Sequence, residues 1–158
     1  MPGEALDDLQ HDHAHLSRLV FDVRDCLAGW EKAPSDPVTR AALGDAVEAL
    51  LDDLAIHFTR EEEGLFPFVL TRAAHLGERI LRLSTLHDAL CGALVRLSRG
   101  LASDGADAAT ALSISTAFQR FQDAYAEHAR EERALLELLP QVLAREDLPA
   151  LRAILSAL

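Results

Sequence analysis

The stretch His57-Phe58-Thr59-Arg60-Glu61 sets a histidine and a glutamate four residues apart, and His128-Ala129-Arg130-Glu131-Glu132 does so again. On an α-helix such residues lie about 40° apart in azimuth and roughly one turn apart in height, so each pair aims an imidazole and a carboxylate at one spot. Both pairs sit on apolar stripes of matching spacing. Val47, Leu50 and Leu54 precede His57, and Phe118, Phe121 and Tyr125 precede His128, at offsets of ten, seven and three residues. Leu65 and Leu136 each follow eight residues later. A solvent-facing ion pair would be worth only about 0.2–0.5 kcal/mol and needs no stripe beside it. Two inward-facing His/Glu pairs in apolar surroundings are costly unless something satisfies them, and a metal ion is the economical partner.

The rest of the chain repeats this logic. A first helix reads from about Glu4 to Ala28 on the stripe Leu6, Leu9, His13, Leu16, Val20, Val23, Leu27, with Gly29 as its stop and Trp30 to Asp36 as a loop. Asp36-Pro37 supplies an N-cap and an N1 proline for a second helix reaching about Phe66, where Pro67 ends or kinks it. Thr71 to Gly77 reads as a short irregular connection. A third helix runs to about Gly100 on Ile80, Leu83, His87, Leu90, Leu94, Leu97 and Leu101. After turn chemistry at Ser103-Asp104-Gly105, a fourth runs from about Asp107 to Leu139, with Pro140 as its stop. Residues 141–158 read as one more amphipathic helix opened by Asp147 or Pro149.

Measured from His13 and from His87, the first and third stripes have the same seven offsets. Helices one and two therefore repeat as helices three and four. Two matching helix hairpins predict an all-α, up-down-up-down antiparallel four-helix bundle over about residues 4–139, with an extra C-terminal helix over 141–158, in a single domain. Few β-branched residues and no alternating runs argue against strands. Counted from the predicted helix ends, His57 and His87 are level, while the other two histidines are offset by about 6 to 12 Å at 1.5 Å per residue.

Charge and cysteine usage narrow the setting. The formal net charge of −11 argues against a nucleic-acid partner. No apolar run is long enough to span a membrane, and no leader pattern opens the chain. Cys26 and Cys91 form no CxxC and read as free thiols in a reducing cytoplasm.

If His13, His57, His87, His128, Glu61 and Glu132 converge, four imidazoles and two carboxylates are too many for one tetrahedral zinc. They suit two metals bridged by the carboxylates, with an oxo or hydroxo bridge and roughly one open position on each metal. Mixed imidazole and carboxylate ligation favours iron or manganese, with zinc as a substitute. Open positions on a redox metal mean binding or activation of O₂, nitric oxide or peroxide. The stripe selects His13 over His11 and His15, which lie off its axis. Glu62 is the alternative to Glu61 if the second helix is slightly rotated; otherwise Glu62, Glu63 and Glu131 read as a solvated acidic cluster. His75 falls in the connection and reads as exposed or structural. Cys91, four residues after His87, should face the site, as an apolar filler or a redox-active neighbour of the metals. Tyr125, one turn before His128, offers a hydroxyl to the site or serves only as core.

These residues resemble a known family. HxxxE followed by Leu65-Phe66-Pro67 in helix two, HxxxE again in helix four, and single histidines in helices one and three are similar to the hemerythrin-like (HHE cation-binding) domains. The resemblance covers roughly Leu6 to Leu139. It implies a bundle around a non-haem di-iron (Fe–O–Fe) centre, with His13, His57, Glu61, His87, His128 and Glu132 as ligands and both glutamates bridging. The oxygen-carrying hemerythrins have a second histidine four residues after the first on helix three; here that place is Cys91. The site is thus closer to bacterial hemerythrin-like proteins tied to iron–sulfur repair, nitric oxide handling or peroxide chemistry than to an oxygen transporter. The ferritin-like alternative requires Glu-x-x-His pairs, and the sequence has none. The expected function is binding or sensing of O₂, NO or peroxide by a monomer or homodimer. The rivals are a di-iron enzyme that decomposes peroxide or reduces NO, and an iron sensor or metal-dependent interaction module.

Overall fold

A computed structural model describes residues 4–103 and 108–158. Its helices are α1 (Glu4–Lys32), α2 (Pro37–Thr59), a π-helical turn (Arg60–Leu65) leading into α3 (Phe66–Leu70), a single 3₁₀ turn (Ala74–Leu76), α4 (Gly77–Ala102), α5 (Ala108–Val142) and α6 (Asp147–Ala157). Among the described residues there is no strand. The helices form a bundle in which α1 packs on α2, α2 on α4 and α4 on α5. Consecutive helices meet again at the ends remote from their connections. Asp12 of α1 pairs with Arg60 just beyond α2. The Arg40 side chain of α2 bonds the Leu101 carbonyl of α4. Arg79 and Arg82 of α4 lie beside Glu131 of α5. No helix of the described residues is long and apolar enough to cross a membrane.

The apolar stripes are the core. Every residue of the first and third stripes is buried except His13, whose side chain keeps 30% of its exposure. The Asp36 cap is present, its carboxylate accepting from the Val38 N–H at 2.9 Å. It satisfies an amide that the helix start would leave unpaired, while Pro37 has none to satisfy.

Several predicted ends move. Gly29 does not stop α1, which continues to Lys32, because Trp30 is wholly buried rather than in a loop. Burying an indole outweighs the roughly 1 kcal/mol that a helical glycine costs. The longer helix also corrects the histidine layer: His13 lies nineteen residues before the end of α1, and His57 twenty after the start of α2. The second helix does not end near Phe66. It widens at residues 60–65, where the Phe66 N–H donates to the carbonyl of Glu61, five residues back, and then resumes to Leu70. In a regular α-helix the Pro67 ring would clash with the carbonyl four residues before it; the widened turn gives it room. Pro140 does not stop α5, which reaches Val142, and the Leu143 N–H still donates to the Leu139 carbonyl at 2.9 Å. Pro140 forfeits its own bond and crowds the Leu136 carbonyl, but only one short turn of helix lies beyond it. The Asp104-Gly105 turn and the Asp107 start lie outside the described residues.

Two apolar clusters fill the bundle, one around Trp30, Leu50, Leu94 and Phe121, the other around Leu9, Leu65, Leu83 and Leu135. Replacing Trp30 by alanine is expected to lower stability by about 3–5 kcal/mol, the usual cost of emptying a buried aromatic site. Denaturant unfolding followed by circular dichroism checks this; a loss under about 1 kcal/mol would mean that Trp30 is not packed as described.

Candidate metal centre

A polar layer divides the two clusters. In α1 His13 stands between Leu9 and Leu16; in α4 His87 stands between Leu83 and Leu90. His57 and Glu61 come between Leu54 and Leu65, and His128 and Glu132 between Phe121 and Leu135. His57, Glu61, His87, His128 and Glu132 are the only polar or charged side chains among the described residues that are buried, each at most 3% exposed.

The structure brings together all six sequence-selected residues. His13, His57, Glu61 and Glu132 form one group of converging donor atoms; Glu61, His87 and His128 form a second, and Glu61 belongs to both. The Nε2 atoms of His13 and His57 are 3.1 Å apart, and those of His87 and His128 are 3.0 Å apart. Ligands held about 2.1 Å from one ion at right angles sit roughly 3 Å apart, so these spacings are those of neighbouring ligands. Glu61 divides its oxygens between the groups, with Oε1 3.5 Å from His57 Nε2 and Oε2 2.9 Å from His87 Nε2. Glu132 belongs to the first group alone: its Oε1 is 2.8 Å from His13 Nε2, while its Oε2 is 3.8 Å from Nδ1 of His128, not from the Nε2 that faces His87.

Both oxygens of Glu61 and Oε1 of Glu132 are buried without a hydrogen-bond partner, although imidazole nitrogens lie close. The contacts are short, but they are not aligned as N–H···O bonds. Such carboxylate oxygens are expensive in an apolar interior. Carboxylate oxygens that converge with imidazole nitrogens on common points, without an aligned donor of their own, fit a bound metal ion.

Electrostatics points the same way. Burial pushes the Glu61 carboxyl well above the usual carboxylate range, and the neighbouring charge of Glu132 adds to this. Glu132 moves oppositely: burial alone would raise it, but the close approach of Glu61, His13 and His57 outweighs burial and holds it low. Burial lowers His87, and lowers His128 to about 4, so both imidazoles are neutral near pH 7 and able to ligate.

Outer residues fix the candidate donors. Glu62 is not merely solvated: its Oε1 lies 2.7 Å from His87 Nδ1, which orients that ring with Nε2 inward. Asp12 lies 3.4 Å from His57 Nδ1 and is itself held by Arg60 at 2.9 Å. Phe58 stacks on His87 with ring centroids 3.8 Å apart. Asp12, Arg60 and Phe58 escape a stripe-based reading because each sits one residue from an inward position, about 100° round the helix. The only trace of them in the sequence is that adjacency to His13, Glu61 and His57.

Other predicted residues fall outside the donor groups. His15 pairs with Asp53 at 2.6 Å on the surface, and His11 and His75 are exposed. Glu131 does not belong to a solvated acidic cluster; it lies 3.6 Å from both Arg79 and Arg82. Cys91 joins neither group. It is a partly buried free thiol packed against the first apolar cluster, and burial raises its pKa. Tyr125 lies one turn from His128 beside the site and shares a hydrogen bond with Ser17.

On the side between α1 and α5 the helices do not pack closely, and a cleft of about 520 Å³ opens there. Its floor includes His13, His57, His128 and Glu132, and its walls include Leu16, Leu54 and Leu136. The other half of the site, at His87, is covered by Phe58 and Phe66. Access to the centre is therefore one-sided.

A helical bundle with two converging His/Glu donor groups is the architecture of a metal-binding four-helix protein. Residues 4–140 match the family described as Hemerythrin HHE cation binding domain, and the chain belongs to that family. No curated protein matches the chain. Family and donor groups together define a metal-binding protein.

Glu61→Ala is expected to abolish metal retention, since Glu61 alone serves both donor groups. Asp12→Asn should leave the metal count intact but weaken retention about 10- to 100-fold, the usual effect of an outer partner. Metal analysis after graded chelator challenge separates the two variants. Full metal content in Glu61→Ala would remove Glu61 from the site.

Proposed function

We propose that the chain holds two iron ions and binds or senses O₂, nitric oxide or peroxide in a reducing cytoplasm. The observation that carries this reading is the sharing of Glu61, one oxygen facing each histidine pair. A lone tetrahedral ion needs no such shared carboxylate and could not use all six residues. In this reading His13, His57 and Glu132 would hold one iron and His87 and His128 the other, with Glu61 serving both. Iron bound there supplies open, redox-active coordination positions for a small oxygen- or nitrogen-donor ligand. Zinc or manganese are substitutes for iron in the same donor set.

The remaining residues tune and guard the centre. Glu62 and Asp12 hold His87 and His57 in the orientations that present Nε2 inward. Phe58 and Phe66 exclude water from the His87 half. The cleft between α1 and α5 gives a small molecule its way to the His13 half, with Tyr125 as a hydroxyl at its edge.

A second reading, a metal-dependent structural switch, is favoured by one observation. The α1–α5 side is closed at the site mainly across the donor residues, where His13 meets Glu132 at 2.8 Å, with Ser17 and Tyr125 one turn away. Metal held between His13 and Glu132 would fasten that seam.

Anaerobic purification followed by metal counting and absorption spectra before and after air tests the main reading. About two irons per chain and a charge-transfer band on oxidation are expected; no metal and no spectral change after ferrous reconstitution would overturn it. Steady-state turnover of H₂O₂ or NO by the loaded protein would identify an enzyme rather than a binder or sensor. Metal saturation to about 100 times the dissociation constant should stabilise the fold by about 2.7 kcal/mol. Unchanged melting on metal removal would sink the structural switch.

A further inference from the structure

The π-helical turn at residues 60–65 is the most heavily used stretch of the site. Arg60 holds Asp12 against His57, Glu61 serves both donor groups, and Glu62 orients His87. Three consecutive residues thus reach three parts of one centre from a turn that is itself an uncommon backbone form. π-Helical turns are energetically poorer than α-helix and persist where surrounding structure supports them.

Pro67 requires the widening, and α6 packs over it. This helix packs against the π-helical turn and against α1, burying Leu151 and Leu155. Its seat is Gly64. A Cβ there would lie 3.1 Å from Leu155 Cδ2, 3.1 Å from Leu158 Cδ1 and 3.3 Å from Ile154 Cγ2. Gly64 needs no special backbone angle, since its φ is negative. The absent side chain is what lets α6 come this near. At its start α6 is tied to the chain after α3 by Arg72 and Asp147, 2.7 Å apart. Helix α6 also lies beyond residues 4–140, which carry the family match.

We propose that α6 is a clamp on the ligand-bearing turn: by packing on Gly64 it holds residues 60–62 in the register that positions Glu61, Asp12 and His87 for metal. Gly64 and Leu155 are positioning residues; neither touches the donor atoms. A docked α6 gives a preorganised, tightly binding centre. An undocked α6 leaves the turn widened by Pro67 but unsupported on its outer side, so residues 60–62 are held less firmly and the three contacts loosen together. Metal affinity is thereby linked to docking of a surface helix, and the linkage is reciprocal.

This inference rests on the metal-binding reading above, and the test keeps the two apart. Leu155→Asp undocks α6 without changing a residue of the turn, and Gly64→Ala intrudes on the seat more mildly. Both are compared with wild type and with Leu155→Met in the full chain. The readouts are ferrous and zinc affinity by chelator competition, the absorption spectrum of the iron-loaded protein, and far-ultraviolet circular dichroism of the metal-free form. The expected result is retained helicity, a 10- to 100-fold weaker affinity in Leu155→Asp, a smaller loss in Gly64→Ala, an altered spectrum, and near-wild-type values in Leu155→Met. If Leu155→Asp does not fold, Gly64→Ala decides. Wild-type affinity and spectrum in a folded Leu155→Asp or Gly64→Ala protein would overturn the clamp, whatever happens to thermal stability. A wild-type chain that binds no metal would overturn the metal-binding reading and the clamp together.

Discussion

The rest of the structure turns on a buried layer of charge. Glu61 and Glu132 lie side by side between two apolar clusters, with imidazoles on every side and three carboxylate oxygens lacking a hydrogen bond. An ionised carboxylate in such a place costs several kcal/mol unless it is paired. The metal-free protein lessens that cost by favouring the protonated form of Glu61, while the imidazoles close to Glu132 favour its charged form. Cations remove it altogether. The fold therefore keeps a layer that favours metal over a dry core, and the flanking clusters supply the stability that lets the layer exist.

The clusters and the layer depend on one another through helix geometry. A histidine in an apolar stripe faces inward because its neighbours at three and four residues do, and four such stripes meet at one level only if their lengths agree. Trp30 contributes to that agreement. Its burial extends α1 past Gly29, and the added turn brings His13 level with His57. A large aromatic remote from the site thus helps set the height of a ligand. The widened turn at residues 60–65 works at the opposite end of the second helix. It accommodates Pro67 and presents Arg60, Glu61 and Glu62 to different parts of the centre.

Access and closure are distributed unequally around the bundle. The α2–α4 side is packed, and aromatic rings cover His87 there. The α1–α5 side is the open one, and His13 is the most exposed of the six converging residues. An incoming molecule and the seam that admits it share the same edge. This arrangement makes ligand entry and bundle closure properties of one place, and both the binding and the switching readings draw on it.

Periodicity made much of this legible in the chain itself. The stripes identify His13 over His11 and His15, and the two HxxxE pairs identify Glu61 and Glu132, because side chains on a helix are repeated every 3.6 residues and burial follows the repeat. The helical bundle and the family follow from the same pattern. What periodicity cannot reveal is anything off the stripe. Glu62, Asp12, Arg60 and Phe58 stand about one residue to the side, and whether such residues meet a ligand depends on how neighbouring helices are rotated and how high they sit. Local stop signals were likewise overruled at Gly29, Pro67 and Pro140, where tertiary burial and a changed hydrogen-bond register outweighed propensities of about 1–3 kcal/mol. The donor residues are thus a property of the sequence. Their partition between two histidine pairs, the one-sided cleft and the seating of α6 on Gly64 belong to the tertiary structure, because they depend on distances between helices that no single helix encodes.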